Sequence, residues 1–318
     1  MTFGMRFALV LFAAFFLASA AGSFAAWLSA GPVIRATARA GAGARAWMLA
    51  CFRLLPAAAA IAATALVLAP GYYRYEQRGE PEGVGLVLAL AAAAGFLIAA
   101  GALVRAGAAV IRAAALRRRW LAAGRPIDVA GAGMPAYAIE SAFPLVAVLG
   151  VLRPRLFISS SVLRACSPPQ LEAIIDHERR HVSACDNAVR LLMDAAPDAL
   201  GLTRASRRLA AAWHQAAEHR ADDAAARRLD LASALVRVAR LAADTGPGAL
   251  PASALYRGEA VEERVRRLVD SAPSGPDMPR GILGAAAAAL AVAVASAATS
   301  PRVLEFAHAL LETAVGLP

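Results

Sequence analysis

The sequence predicts a mainly α-helical integral membrane protein, with about four transmembrane helices and a small α+β domain between the third and the fourth. Three observations lead to this fold class. The chain of 318 residues is 59% hydrophobic and only 18% charged, which is too apolar for an ordinary soluble protein. Four long apolar runs alternate with polar connections. Most of the polar residues lie between the third and the fourth run.

The four apolar runs are each long enough to approach or cross a bilayer, which takes about 20 helical residues. They cover residues 7–28, 47–69, 83–104 and 282–298. Pro56 interrupts the second run, which a membrane helix tolerates. The runs therefore predict three spans near the N-terminus and a fourth span after a long polar segment.

The arginines between the runs predict the orientation. Arg35, Arg39 and Arg45 lie between the first two runs without an acid, whereas the next connection is rich in glutamate. After the third run come Arg105, Arg112, Arg117, Arg118, Arg119 and Arg125. The positive-inside rule places both arginine-rich regions in the cytoplasm. Cleavage of the first run as a secretory signal, which Ala18-Ser19-Ala20 would permit, would reverse this orientation, so we expect an uncleaved span.

These boundaries divide the chain into three regions. Residues 1–104 hold the first three spans, residues 105–280 form a cytoplasmic domain, and residues 281–318 hold the fourth span and a short tail. We expect a multi-pass protein of a bacterial-type inner (plasma) membrane. The net charge of +10 reflects arginine gathered on the cytoplasmic side, and no nucleic-acid partner is expected.

Strand character in the domain is confined to residues 124–161. Short β-like runs occur at 127–129, 137–139, 145–152 and 156–159. They predict a small sheet packed on the helix that follows. A strand at the edge of this sheet could bind an extended peptide by strand addition, although the sequence does not show which strand that is.

Helices are predicted after the sheet. Ser167 is a helix cap, with Pro168 and Pro169 in the first turn. Further helices are expected over residues 187–202 (with Pro197 inside), 206–230, 231–243 and 258–270.

The first of these helices contains the motif His177-Glu178-Arg179-Arg180-His181. Residues four apart project from the same face of a helix, so both imidazoles can reach one metal ion. Glu178 then lies beside a metal-bound water. This H-E-x-x-H spacing is typical of the active-site helix of zinc peptidases.

A catalytic zinc ion needs a third protein ligand and an open fourth position. The predicted helix over residues 206–230 offers four candidates: His214, Glu218, His219 and Asp222. The first, second and fourth of these share one helix face. Cys185, four residues after His181, is an alternative thiolate ligand.

Further motifs accompany the histidine motif. They are Ser141-Ala142-Phe143-Pro144, Arg153-Pro154-Arg155-Leu156, Asp186-Asn187 and Glu218-His219-Arg220-Ala221-Asp222, the last with an E-x-x-x-D pattern. Together they resemble the gluzincin membrane metallopeptidases, and among these the BlaR/MecR-type antirepressor family of β-lactam sensor-transducers. The HtpX-like heat-shock peptidases and the CAAX prenyl proteases are similar more distantly. The resemblance covers residues 137–268 and the number of spans.

The resemblance implies a zincin-like domain that holds one Zn²⁺ per chain. It assigns His177, His181 and Glu218 as zinc ligands and Glu178 as the base that activates a zinc-bound water. Asp222 would orient a ligating histidine.

Two other segments are less well defined by the resemblance. Asp186 would either orient a ligand in the same way or serve a structural role at a helix terminus. The segment Arg264-Val265-Arg266-Arg267-Leu268 resembles a late helix of these families, without a chemical role. The sensor-transducers carry a large extracellular sensor domain after the fourth span. Only about twenty residues follow that span here, so β-lactam sensing is not expected.

The sequence therefore predicts a membrane metalloendopeptidase that hydrolyses peptide bonds of a protein substrate, in regulatory proteolysis or signal transduction. Its expected partners are a protein or peptide substrate, the lipid bilayer, and a repressor or sensor protein. Two alternatives stay open. One is a quality-control protease for membrane proteins. The other is an inactive signalling or scaffold protein, in which Glu178 and Glu218 pair with arginines and no metal binds.

Overall fold

The computed structural model describes residues 2–75, 85–141, 143–197, 203–244, 258–270 and 296–315. These residues are mainly helical and include one small open sheet, which confirms the mainly α character of the prediction. The N-terminal part contains helices α1 (Phe3–Ala36), α2 (Ala42–Ala62), α3 (Ala69–Tyr75) and α4 (Leu86–Ala123).

Three helical stretches are long and apolar enough to cross a membrane, in agreement with membrane association. They are Phe3–Arg39, Ala42–Tyr75 and Leu86–Ala123. The second is continuous because a π-helical segment, Ala63–Leu68, joins α2 to α3. The fourth predicted span lies almost entirely outside the described residues.

The long apolar helices pack closely against one another. Gly95 of α4 lies against α1, and a Cβ atom at this position would be 2.0 Å from the carbonyl oxygen of Phe12. Small residues permit such close approach between membrane helices. Helix α4 then continues without a break through the arginine-rich residues 105–119 to Ala123, where Gly124 leads into the sheet.

The sheet has four strands in the order β1-β2-β4-β3. Their bounds are β1 Arg125–Ile127, β2 Ala136–Ile139, β3 Val146–Leu149 and β4 Arg155–Ser159. Strands β2 and β4 are parallel, and the two outer pairs are antiparallel. The four predicted runs all contain or overlap a strand, and β3 lies at one edge.

The helices that follow the sheet and have both ends among the described residues are α5 Ser160–Ala165, α6 Pro168–Ser183, α7 Asp186–Ala195, α8 Arg204–Ala224, α9 Arg228–Asp244, α10 Gly258–Asp270 and α11 Pro301–Val315. Helix α6 begins with the predicted cap, since Ser167 and Gln170 form a capping box. Helix α11, which packs against α3, was not predicted.

Two predicted helices have wrong bounds. The helix predicted over residues 187–202 ends at Ala195, because Pro197 lacks an N–H and disfavours helical geometry in the residue before it. The boundary predicted between the helices over residues 206–230 and 231–243 is a few residues too late. Helix α8 ends at Ala224 and α9 begins at Arg228, because Ala225 is extended and buried in the core, which turns α9 back over α6. Tertiary packing overrides the helical propensity of the alanines here.

Two clusters of buried side chains fix the domain. One joins the sheet to α6 and α9 through Leu156, Ile158, Ile174 and Leu231. The other joins α8 to the long apolar helices, with Leu49 of α2 packed among Leu209, Trp213 and Ala216. Helix α8 therefore connects the domain to these apolar helices.

Candidate metal centre

The two histidines of the motif lie one above the other on α6. The ring centroids of His177 and His181 are 4.8 Å apart, and their Nε2 atoms are 3.1 Å apart. His177 is only 2% exposed. The Nε2 atoms of both rings therefore point toward the same position.

Helix α8 crosses α6 and brings a carboxylate to this position. Glu218 Oε2 lies 3.5 Å from His177 Nε2, and Glu218 Oε1 lies 3.6 Å from His181 Nε2. One ligand atom from each of the three residues lies within 4.8 Å of the others, so the group could hold a metal ion.

Each histidine has a carboxylate beside its Nδ1 atom. Asp186 Oδ2 is 2.7 Å from Nδ1 of His181, and Asp222 Oδ1 is 3.1 Å from Nδ1 of His177, close by but not aligned as a hydrogen bond. A carboxylate at Nδ1 favours the tautomer with its proton there, which leaves the Nε2 lone pair for a metal. Asp186 is also the first residue of α7, so it lies at a helix terminus as well.

Arginines hold these carboxylates in place. Arg264 of α10 donates two hydrogen bonds to Asp222, of 2.6 and 2.8 Å, and its Nη1 lies 3.0 Å from Glu218 Oε2. Arg220 of α8 donates to Asp186. The family resemblance gave Arg264 no chemical role. Its position in the sequence could have indicated one, because the spacing of Val261, Arg264 and Leu268 places this arginine on the buried, apolar face of α10.

The charges in this region do not cancel. The carboxylates are those of Glu178, Asp186, Glu218 and Asp222, all buried or nearly so. Among the described residues, they pair with two guanidinium groups, those of Arg220 and Arg264. Two negative charges are left over from this set when the histidines are neutral and all four carboxylates are ionised. A divalent cation bound here would supply the compensating charge.

The pKa shifts of His177 and Glu218 agree with this surplus of negative charge. Burial lowers the pKa of His177, but the neighbouring Asp222 and Glu218 outweigh burial and raise it to about 9. Burial raises the pKa of Glu218, yet Arg264 and the two histidines hold it well below its usual range. In the metal-free protein, a proton on His177 therefore supplies part of the missing positive charge.

Glu178 differs from the other carboxylates. It makes no ion pair or hydrogen bond with any residue that the structure describes, and burial raises its pKa despite the nearby histidines. With His177 it borders a small apolar recess with a volume of about 20 Å³. The other residues around this recess are Val146, Ile174, Leu231, Ala234, Leu235 and Val238.

The residues of the centre fit zinc. Two imidazole nitrogens and a carboxylate oxygen form a ligand set typical of catalytic zinc sites. Glu218 Oε2 is buried without a well-aligned hydrogen bond among the described residues, although Arg264 Nη1 is near it. An acceptor in this state is suited to bind a cation.

The remaining candidates lie outside the centre. Cys185 is exposed, in a left-handed turn between α6 and α7 with a φ of 57°. His214 packs its ring against Trp213, and His219 lies 3.8 Å from Glu263. None of these three side chains belongs to the ligand group found among the described residues.

Comparison of this chain with family models, with curated proteins and with solved structures found no match. The functional assignment therefore depends on the residues of the centre and on their geometry.

Proposed function

We propose that the protein is a zinc-dependent membrane metalloendopeptidase. One observation carries this proposal. The Nε2 atoms of His177 and His181 and the carboxylate of Glu218 converge on one position, and Glu178, the residue after His177, is buried without an ionic partner among the described residues. The sequence resemblance to the BlaR/MecR-type antirepressor peptidases supports the same chemistry.

The residues around the ligands prepare them for the metal. Asp222 and Asp186 orient the two imidazoles, and Arg264 and Arg220 orient these carboxylates. When bound, zinc supplies a Lewis acid that polarises the scissile carbonyl and lowers the pKa of water to about 7. Ligands that these carboxylates already orient lose little conformational entropy when they bind the ion.

Glu178 is the proposed general base. Its carboxylate accepts a proton from the attacking water and then donates that proton to the leaving amine nitrogen. A base acts best when its pKa is near the working pH. The burial of Glu178 raises its pKa in that direction.

Strand β3 is the proposed docking edge for substrate. The N–H of Ser159 in β4 donates to the carbonyl of Leu145, so by alternation the N–H and C=O of Val146 face away from β4. Asn187 donates to the carbonyls of Val148 and Gly150 farther along the same edge. An extended peptide can therefore pair with β3 at Val146.

Val146 also connects this edge to the recess beside Glu178. A peptide on β3 would bring one side chain to the recess, whose lining suits an apolar group. We therefore propose extended, apolar segments of a protein as the substrate class.

The cellular setting extends the proposal. We place the centre on the cytoplasmic side of a bacterial-type inner membrane, following the arginine distribution, with a repressor or sensor as partner in regulatory proteolysis. Quality control of membrane proteins is the alternative role. A reporter fused at Arg118 tests the orientation, and an extracytoplasmic Arg118 would contradict it.

Metal analysis and a cleavage assay test the activity. The full chain, purified in detergent, should carry about one zinc ion, and His177→Ala should lose it. Glu178→Gln should keep the zinc but slow cleavage of casein by about 10²- to 10⁴-fold. His214→Ala is the matched control, since this histidine lies on α8 outside the centre, and it should change neither property.

The zinc analysis and the cleavage assay also distinguish the proposed peptidase from the inactive alternative. Arg264 does pair with Glu218, as that alternative expects, whereas Glu178 pairs with no described arginine. Wild-type protein that binds no added zinc would rule out both protease roles and favour the inactive alternative. Zinc binding without cleavage, in protein that also fails to cleave itself, would contradict the proposed peptidase activity.

A further inference from the structure

A second cavity, with a polar lining, lies where α2 and α4 meet α7 and α8. It has a volume of about 370 Å³, and none of its described lining residues borders the recess at the candidate metal centre. Its described lining residues include four arginines, Arg53 from α2, Arg105 and Arg112 from α4, and Arg207 from α8, and one acid, Asp194 from α7. The formal charges of these residues sum to +3.

The last turn of α7 positions two of these arginines. Arg105 donates to the backbone carbonyls of Asp194 and Ala196, over 3.3 and 3.2 Å. Arg53, buried to 3% exposure, donates to the carbonyl of Met193 over 3.2 Å. Carbonyl groups at a helix C-terminus carry a partial negative charge, which holds guanidinium groups in place.

The other two arginines are available to a ligand. Arg112 and Arg207 make no hydrogen bond or ion pair with any residue in the described part of the chain, and both are exposed. Charges of one sign around a cavity with protein walls concentrate the field and attract a counter-ion. The guanidinium group binds phosphate oxygens in pairs, so phosphate is the anion that these side chains suit.

The position of the cavity along α4 indicates the source of the phosphate. From Leu86, where α4 begins, to Arg105 the helix rises about 28 Å at ~1.5 Å per residue. This length is close to the ~30 Å of a bilayer's hydrocarbon core. Large apolar side chains, Leu103 and Val104, are 75% and 70% exposed directly before Arg105. The cavity therefore lies where an apolar surface changes to a basic one.

We propose that this cavity binds the phosphate group of an anionic membrane lipid, whose acyl chains lie along the exposed apolar side chains of α4. A basic pocket between spanning helices at the end of their apolar run is a site of the kind that holds anionic headgroups. A free phosphate ion would use the same arginines but would gain nothing from Leu103 and Val104. The proposal does not depend on peptidase activity.

A lipid titration tests the site. The full chain is purified in detergent, stripped of phospholipid, and titrated with short-chain phosphatidylglycerol, phosphatidylcholine, glycerol 3-phosphate and inorganic phosphate. Binding is followed by native mass spectrometry and calorimetry. We expect phosphatidylglycerol to bind at least about tenfold more tightly than the other three, with an affinity that falls as salt is added.

Variants locate the binding. Arg105→Gln and Arg207→Gln should each weaken phosphatidylglycerol binding about fivefold. Arg118→Gln is the matched control, because Arg118 is exposed on the same helix but does not line the cavity, and it should bind like the wild type. Arg207 makes no hydrogen bond or ion pair with a described residue, so its variant keeps the test valid if Arg105→Gln fails to fold.

Three results would overturn the proposal. Equal binding of phosphatidylcholine and phosphatidylglycerol would show that the anionic group is not recognised. An equal loss in Arg118→Gln would indicate general attraction to a basic surface. Inorganic phosphate or glycerol 3-phosphate bound as tightly as the lipid would assign the cavity to a free anion.

Discussion

The metal centre and the basic cavity use arginine in opposite ways. At the metal centre, Arg264 and Arg220 pair with more carboxylates than they can neutralise. In the cavity, four arginines and one aspartate are found among the described lining residues. The sign of the surplus charge thus indicates the ligand, a cation in the first region and an anion in the second, because charges of one sign around a cleft attract an ion of the opposite sign.

Both regions depend on one helix. Arg207 is in the first turn of α8, and Glu218 lies about 16 Å farther along its axis at ~1.5 Å per residue. Trp213 and Leu209 of α8 are buried against α2 between these two points. Single substitutions in the two regions should therefore change the stability of the protein by amounts that differ in size and in sign.

The largest expected effect is on stability. Arg264→Met removes the partner of Asp222 and Glu218 and leaves buried carboxylates unpaired, so we expect the metal-free protein to lose about 3–5 kcal/mol. Thermal unfolding in detergent measures this. The control is Arg266→Met on the same helix, where the pair with Glu262 is exposed and worth about 0.5 kcal/mol or less. Equal effects of the two variants would contradict the proposed role of Arg264.

The second expected effect is on metal affinity. Asp186→Asn and Asp222→Asn each remove a carboxylate at an Nδ1 atom, so each should weaken zinc binding by about 10- to 100-fold. Competition with a chelator of known affinity measures the change. Asp176→Asn, an exchange on α6 at an acid that pairs with Arg179 instead, is the control. Unchanged affinity in both variants would show that the carboxylates are structural.

The third expected effect concerns pH. The pKa of His177 is raised to about 9 in the metal-free protein, so His177 is protonated at pH 7 and zinc must displace that proton. Affinity should therefore rise about tenfold per pH unit between pH 7 and the pKa, and level off above it. Calorimetry in two buffers with different ionisation enthalpies measures the proton released. Binding without proton release at pH 7 would contradict this.

The smallest expected effect is in the basic cavity. Arg207→Gln removes one of several like charges, so without lipid the variant should be as stable as the wild type or gain up to about 0.5 kcal/mol at low salt. Thermal unfolding at two salt concentrations measures this. A loss of several kcal/mol would show that Arg207 has a counter-charge in the folded protein, and the contrast with Arg264 would then fail.

Local patterns made part of the centre predictable. His177, Glu178 and His181 lie within little more than one turn of α6, so their relative positions follow from helix geometry alone. Glu218 and Asp222 share the same spacing on α8. The resemblance to known motifs indicated their roles, and the structure brings all five residues together.

Other features were not readable from local patterns. The break between α8 and α9 occurs in an alanine-rich stretch that favours a helix, and the core position of Ala225 decides it. The bonds from Arg264 to Asp222 join residues 42 positions apart. The interaction of Asp186 with His181 depends on the turn at Cys185, whose left-handed backbone the sequence does not suggest.

By itself, then, the sequence determined the long apolar helices of the N-terminal part, the strand segments and the spacing of the candidate metal ligands within each helix, because these depend on residues within a few positions of one another. Tertiary structure alone decided which strands form the edges of the sheet, which arginines pair with the carboxylates of the centre and which line the cavity. Those outcomes depend on which helices meet, and an arginine in a sequence has the same charge whether its fold places it beside a carboxylate or beside other arginines.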